Sequence, residues 1–197
     1  MMMEKKQSGQ TNLKTIVGID YSLTSPAICI TNDFVFENSK FFYLTNKKKY
    51  IGKMSYNIFG FEHMEYDTPI RRFSQISDWT FDTINQTINS HLKVFIEGYS
   101  FGSKGQAVFQ IAENCGILKY KLQTMDIDYD TVVPSVVKKG ASGKGNADKE
   151  LMYESFSKET NTDLKKIFDT TKIGNPVTDI VDSYYIAKVG YENSESK

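Results

Sequence analysis

With only two cysteines and two histidines in 197 residues, this chain has neither a disulfide scaffold nor a zinc site. Cys29 and Cys115 both lie in apolar stretches, which predicts buried thiols in a reducing compartment. His63 and His91 have no Cys or His partner at ligand spacing. Charge of one sign is not in excess either. Lys plus Arg and Asp plus Glu both number 24, and this balance excludes a binder that works through bulk positive charge. No apolar run approaches the roughly 20 residues that a membrane-spanning helix needs. The first twelve residues, MMMEKKQSGQTN, lack the apolar centre of a secretory leader. Internal repeats and low-complexity tracts are missing as well. Together these absences predict a cytoplasmic protein, in a bacterial cell or a virus-infected host cell.

What is present suits one well-buried domain, since 40% of residues are hydrophobic and 24% charged. We expect residues 13–190 to form it, after a disordered lead-in over 1–12 and before a polar tail over 191–197. The stretch TIVGIDYSLTSPAICI, residues 15–30, organises the rest. Two short β-branched runs around the turn 21–26 read as a hairpin whose first strand ends in Asp20, with Gly18 allowing close backbone approach. KFFYL, residues 40–44, is the third strand of an antiparallel meander. Residues 45–68 carry Lys47-Lys48-Lys49 and several aromatics without clear periodicity, and read as an insertion or flap.

Beyond it, apolar residues at helical spacing predict a helix over 69–91 and another over 104–125. KVFIE, residues 93–97, is a buried strand between them, and it too ends in an acid, Glu97. A short strand over 131–134 follows. Then comes KKGASGKGNADK, residues 138–149, a Gly-rich basic loop that leads into a helix from 146 or 147 to about 158. The last helix is expected to begin at Asn175-Pro176, with Asn as cap and Pro at the first position. A meander followed by strand–helix units gives an α/β fold, with a mixed five-stranded sheet (antiparallel, then parallel) flanked by helices.

Four carboxylates stand out. Asp20 and Glu97 end apolar strands, which puts them at one sheet edge if the strands are neighbours. Asp179 and Asp182 are three apart on a helix, about 60° around its axis, among apolar neighbours. Four converging acids repel and cannot all ionise unless a cation resolves the conflict. Hard oxygen donors without His or Cys select Mg²⁺ or Mn²⁺. Two such ions roughly 4 Å apart are the usual device for displacement at a phosphodiester. Singly, each acid has a plainer role, in a turn, a strand-end ion pair or a helix first turn; only the set makes a site.

The basic loop is not a P-loop, because Lys144 precedes Gly145 rather than Ser or Thr. Lys138, Lys139 and Lys144 suit backbone contacts to nucleic acid, or else a solvated loop. An actin-like or sugar-kinase reading of the first hairpin would need a second domain, for which 197 residues barely suffice.

In order, VGIDYSLTSPAICI, VFIEGYSFGSKGQAVFQIAENCGILKYKL, VVPSVVKKGASGKGNADKELM and TDIVDSYYIAKV resemble the RuvC-type Holliday-junction resolvases of the RNase H-like superfamily. The resemblance implies an RNase H-like fold with Asp20, Glu97, Asp179 and Asp182 as ligands of two Mg²⁺ or Mn²⁺ ions. It also implies a catalytic Lys in the basic loop, Lys144 or Lys149. It further implies a homodimer packed through the helix over 106–122, which nicks opposed strands of branched DNA symmetrically. It extends the expected DNA-binding set to Tyr99, Phe101 and Lys104, since Tyr99 and Phe101 flank the place of the family's wedge aromatic. The chain departs in Asp-Tyr-Ser for Asp-Pro-Gly after the first strand, in Val181, Ser183 and Tyr184-Tyr185 of the last helix, and in the insertion. These departures resemble a phage or viral branch. Alternatives of the same fold are a flap, branch or terminase-type nuclease and a non-catalytic junction binder.

Overall fold

A computed structural model describes residues 14–86, 92–99 and 106–196. The sheet has seven strands in the order β4-β5-β3-β2-β1-β6-β7. They are β1 (Thr15–Asp20), β2 (Ala27–Thr31), β3 (Lys40–Thr45), β4 (Gly52–Ser55), β5 (Ile58–Glu62), β6 (Leu92–Glu97) and β7 (Tyr129–Val132). The helices are α1 (Pro69–Asn85), α2 (Gln106–Thr124), α3 (Pro134–Ser142), α4 (Lys149–Thr160), α5 (Leu164–Ile167) and α6 (Val177–Glu195). β1, β2 and β3 form the antiparallel meander, and β6 and β7 extend the sheet in parallel from β1.

Two strands more than the expected five come from residues 45–68. β5 runs parallel to β3, and β4 closes an edge hairpin on β5. Neither strand alternates cleanly, which hid them from a period-two reading. Gly60 is what lets β5 lie flat here. A Cβ there would stand 2.0 Å from the Tyr50 carbonyl, which accepts a 2.5 Å hydrogen bond from the Tyr43 hydroxyl.

Side-chain caps start α1, α4 and α5, the last through Asp163, whereas α3 and α6 start without one. Thr68 accepts from the Arg71 N–H ahead of α1, and Asp148 accepts from the Leu151 N–H ahead of α4. Several expected boundaries move. The first half of the basic loop is helical, as α3 from Pro134, and ends at Gly143 in the left-handed region. Accordingly α4 starts at Lys149, not 146 or 147. α6 begins at Val177 and continues through the supposed polar tail to Glu195. That tail is anchored: Lys14 and Lys93 both pair with Glu195. The lead-in over 1–12 lies outside the described residues.

Each side of the sheet has its own core. Ile16 and Phe95 pack with α3, α4 and α6, whereas Val17, Ile19, Val94 and Ile96 face the other way, toward α1 and α2. The pleat therefore turns Gly18, Asp20 and Glu97 toward α6. At Gly18 a Cβ would lie 2.2 Å from the Ser183 carbonyl and 2.4 Å from the Ala187 N–H. The lack of a side chain lets the α6 backbone rest directly on β1. Among the described residues, no helix is long and apolar enough to cross a membrane.

Candidate active site

Pairing of β1 with β6 matches Ile19 to Ile96, so the next residue on each strand, Asp20 and Glu97, end side by side. α6 runs antiparallel to β1, its later part near Lys14 and its middle on Gly18. That course carries its first turns, with Asp179 and Asp182, over the end of β1. Asp20 is 8% exposed and Asp179 6%, so both acids have left water.

The four acids act on one another's charge. Burial raises the Asp20 carboxyl well above the ordinary carboxylate range, and the charges of Asp179, Asp182 and Glu97 add to that. Burial likewise pushes Asp182 up to about 7, with Glu97 and Asp179 contributing. Asp179 is pushed up to about 6 by burial, against a hydrogen bond from Ser25 and the charges of Lys149 and Lys47. Burial also raises Glu97, opposed by Lys138.

Lys149 and Lys138 are thus the cations of the basic segment that reach the acids. Both line a cavity of 290 Å³ together with Thr178, Val181 and Asp182. Lys144 does not join them. It is exposed in the turn after α3, where its N–H bonds the Ser142 hydroxyl at 3.3 Å. Lys139 points to solvent from α3. Tyr99 is 48% exposed, with the Lys119 ammonium of α2 5.0 Å from its ring centroid. Phe101 and Lys104 lie outside the described residues.

Two contributors escaped the sequence reading. The Ser25 hydroxyl donates to Asp179 Oδ2 at 2.5 Å. Its loop is held from outside, since Arg72 donates to the Leu23 carbonyl at 2.7 Å and His63 Nε2 lies 2.9 Å from the Thr24 carbonyl. Lys47 donates to the Asn175 carbonyl at 2.7 Å, just ahead of α6. A lone Ser in a turn and one Lys of a triplet carry no signal at sequence level, because each acquires meaning only across more than 120 residues.

Among the described residues, no three acidic, His or Cys side chains stand as a formed metal cage. The donor set nonetheless fits a hard divalent cation. It is all carboxylate oxygen, buried at Asp20 and Asp179 and half-buried at Glu97 and Asp182, and its members raise one another's proton affinity, a conflict that a cation relieves.

No family model and no curated protein sequence matches the chain. Solved structures do resemble it. Thermus thermophilus RuvC is similar at 13% identity and TM-score 0.56, covering 91% of this chain and 96% of that one. T. thermophilus RuvC in complex with a Holliday junction substrate is similar at 11% identity and TM-score 0.59, covering 93% and 96%. The yeast mitochondrial Holliday junction resolvase Ydc2 is similar at 14% identity and TM-score 0.49, covering 93% and 83%. The mixed sheet, the α6 crossing and the likeness to the two T. thermophilus structures together give this chain a RuvC-like fold.

Proposed function

We propose that this protein is a divalent-cation-dependent endonuclease that resolves four-way DNA junctions by paired, symmetrical nicks. The observation that carries this reading is the convergence of Asp20, Glu97, Asp179 and Asp182 where β1 and β6 end beneath α6. A Holliday junction is the substrate in one RuvC complex of the same fold, which supports the substrate class. We read 13–190, extended by the end of α6 to Glu195, as a single nuclease domain.

Asp20 and Glu97 would hold the ions from the sheet, and Asp179 and Asp182 from α6. Mg²⁺ or Mn²⁺, two ions per site, would when bound neutralise the scissile phosphate and supply an ionised water. Ser25 keeps Asp179 in one rotamer through its hydrogen bond. Lys149 and Lys138 offer positive charge to phosphate oxygens at the cavity mouth. Lys149 takes the role that the sequence left open between Lys144 and Lys149. A second copy would pack on α2, where Phe109 and Tyr120 are 70% and 71% exposed and Gly116 between them faces open space. Free, buried Cys29 and Cys115 fit a cytoplasmic setting.

The test is Asp20→Asn, assayed on a synthetic four-way junction with Mg²⁺. The variant keeps its fold by circular dichroism and loses cleavage by about three orders of magnitude or more. Cleavage at the wild-type rate would refute the assignment.

A further inference from the structure

The lysine triplet after β3 has no role in the site just described, apart from the Lys47 contact. Its surroundings give it one. β3 runs parallel to β1, both being antiparallel to β2, so the turn after β3 emerges at the same sheet edge as Asp20. There it meets a distant segment around α5. Tyr50 and Phe168, both buried, cross edge to face at 5.4 Å, and Tyr43 adds a second ring contact to Phe168. This packed base joins two lysine-bearing segments into one surface. A groove of about 730 Å³ runs between them, lined by Lys49, Lys165, Lys166 and Lys172. Lys47 and Lys48 adjoin it in the same turn.

Charge in the groove is lopsided, although the whole chain is neutral. Its acids are Asp163 and Asp169. Asp163 is already engaged, accepting from the Tyr153 hydroxyl at 2.6 Å and from the Lys165 and Lys166 N–H groups at the start of α5. The Lys166 side chain is 86% exposed, although 3.7 Å from Asp163. Lys166 and Lys172 are exposed, while the Lys49 and Lys165 ammonium groups are steadied over the Tyr50 and Tyr153 rings at 4.4 and 5.1 Å. Such a spread of cations on a fixed base suits a run of phosphates, not a single small anion. It is continuous with the active site through Lys47, whose ammonium holds the Asn175 carbonyl ahead of α6.

We infer that the groove between residues 47–49 and 165–172 is a second DNA-backbone site, which grips the phosphates of an arm leaving the catalytic acids. The inference rests on the nuclease reading above and adds a binding surface to it.

The experiment measures binding of a fluorescent four-way junction in EDTA, across 50–300 mM NaCl, by the full chain carrying Asp20→Asn. Replacing Lys49, Lys165, Lys166 and Lys172 together by Ala is expected to weaken binding at least about tenfold at 150 mM salt. The slope of log K against log salt should flatten by about 2–3, at roughly 0.9 for each phosphate that the variant no longer neutralises. Lys166→Ala with Lys172→Ala, both at exposed positions, should flatten it by about half as much and guards against misfolding of the quadruple variant. Lys40→Ala, an exposed lysine at the opposite sheet edge where β3 begins, should leave the slope unchanged. Unchanged slope and affinity in both groove variants would overturn the groove site while leaving the nuclease reading standing. Failure of the parent protein to bind any DNA would overturn both.

Discussion

Ser25, in the turn after β1, donates a 2.5 Å hydrogen bond to Asp179 Oδ2 in the first turn of α6, across 154 residues of sequence. The other carboxylate oxygen of Asp179 accepts a longer bond, 3.4 Å, from the Thr178 hydroxyl. A group that orients a ligand in this way acts on cation affinity before it acts on chemistry. Ser25→Ala should therefore raise the Mg²⁺ concentration for half-maximal cleavage by about tenfold, with Ser25→Thr restoring part of it. Titration of cleavage rate against Mg²⁺ checks this. A lowered rate at saturating Mg²⁺, with an unchanged midpoint, would assign Ser25 another role.

Lys149 and Lys144 lie five residues apart, yet only Lys149 acts on the acids, favouring the charged forms of Asp20, Asp179 and Asp182. Lys149→Ala should cost about two orders of magnitude in single-turnover cleavage. Lys144→Ala should stay within about threefold. The reverse order would move the catalytic lysine into the turn after α3.

Asp182 is held near 7 and Asp179 near 6, both above the ordinary value of 3.8. Between about pH 4 and 7 the folded protein therefore keeps protons that the unfolded chain has released, and stability falls as pH rises through that window. In EDTA, Tm should drop by about 5 °C from pH 5 to pH 8, and Asp182→Asn should flatten the drop. His63 works in the opposite sense, because burial and the Arg72 charge hold its imidazole below the usual value. The difference between wild type and Asp182→Asn removes that contribution. Adding Mg²⁺ at pH 8 should restore Tm, since the cation binds the ionised acids. A variant with the same pH profile as wild type would contradict the shared site.

Phe109 and Tyr120 stand on α2 with apolar surface that no described residue covers. Tyr120→Glu should shift the protein from dimer to monomer in sedimentation velocity at micromolar concentration. A wild-type protein that sediments as a monomer would remove the dimer from the proposal.

Much of the fold and of the candidate site is legible in the sequence. Periodicity gave the meander, the long helices and the two strand-end acids, because Asp20 and Glu97 each close an apolar run that can only be a buried strand. Spacing gave Asp179 and Asp182 one helix face. What stayed hidden depends on distant partners. β5 pairs with β3 through Gly60, a residue that reads as a strand breaker until Tyr43 and Tyr50 are placed beside it. Residues 138–142 look like a flexible basic loop, but Pro134 starts a helix there and Val137 buries against the α6 side of the sheet. Tyr184 and Tyr185, bulky for a helix crossing a sheet, are accommodated because Phe156 of α4 meets both rings edge on and Glu159 takes both hydroxyls.

Paired, cation-dependent cutting of a junction is the activity proposed for this protein. It is tested most directly with a synthetic four-way junction labelled on each strand in turn and incubated with Mg²⁺ or EDTA. Two nicks are expected at symmetry-related positions on opposed strands, leaving 5′-phosphate and 3′-hydroxyl ends and vanishing in EDTA. Cuts on one strand only, on flaps or forks instead of junctions, or undiminished in EDTA would contradict it.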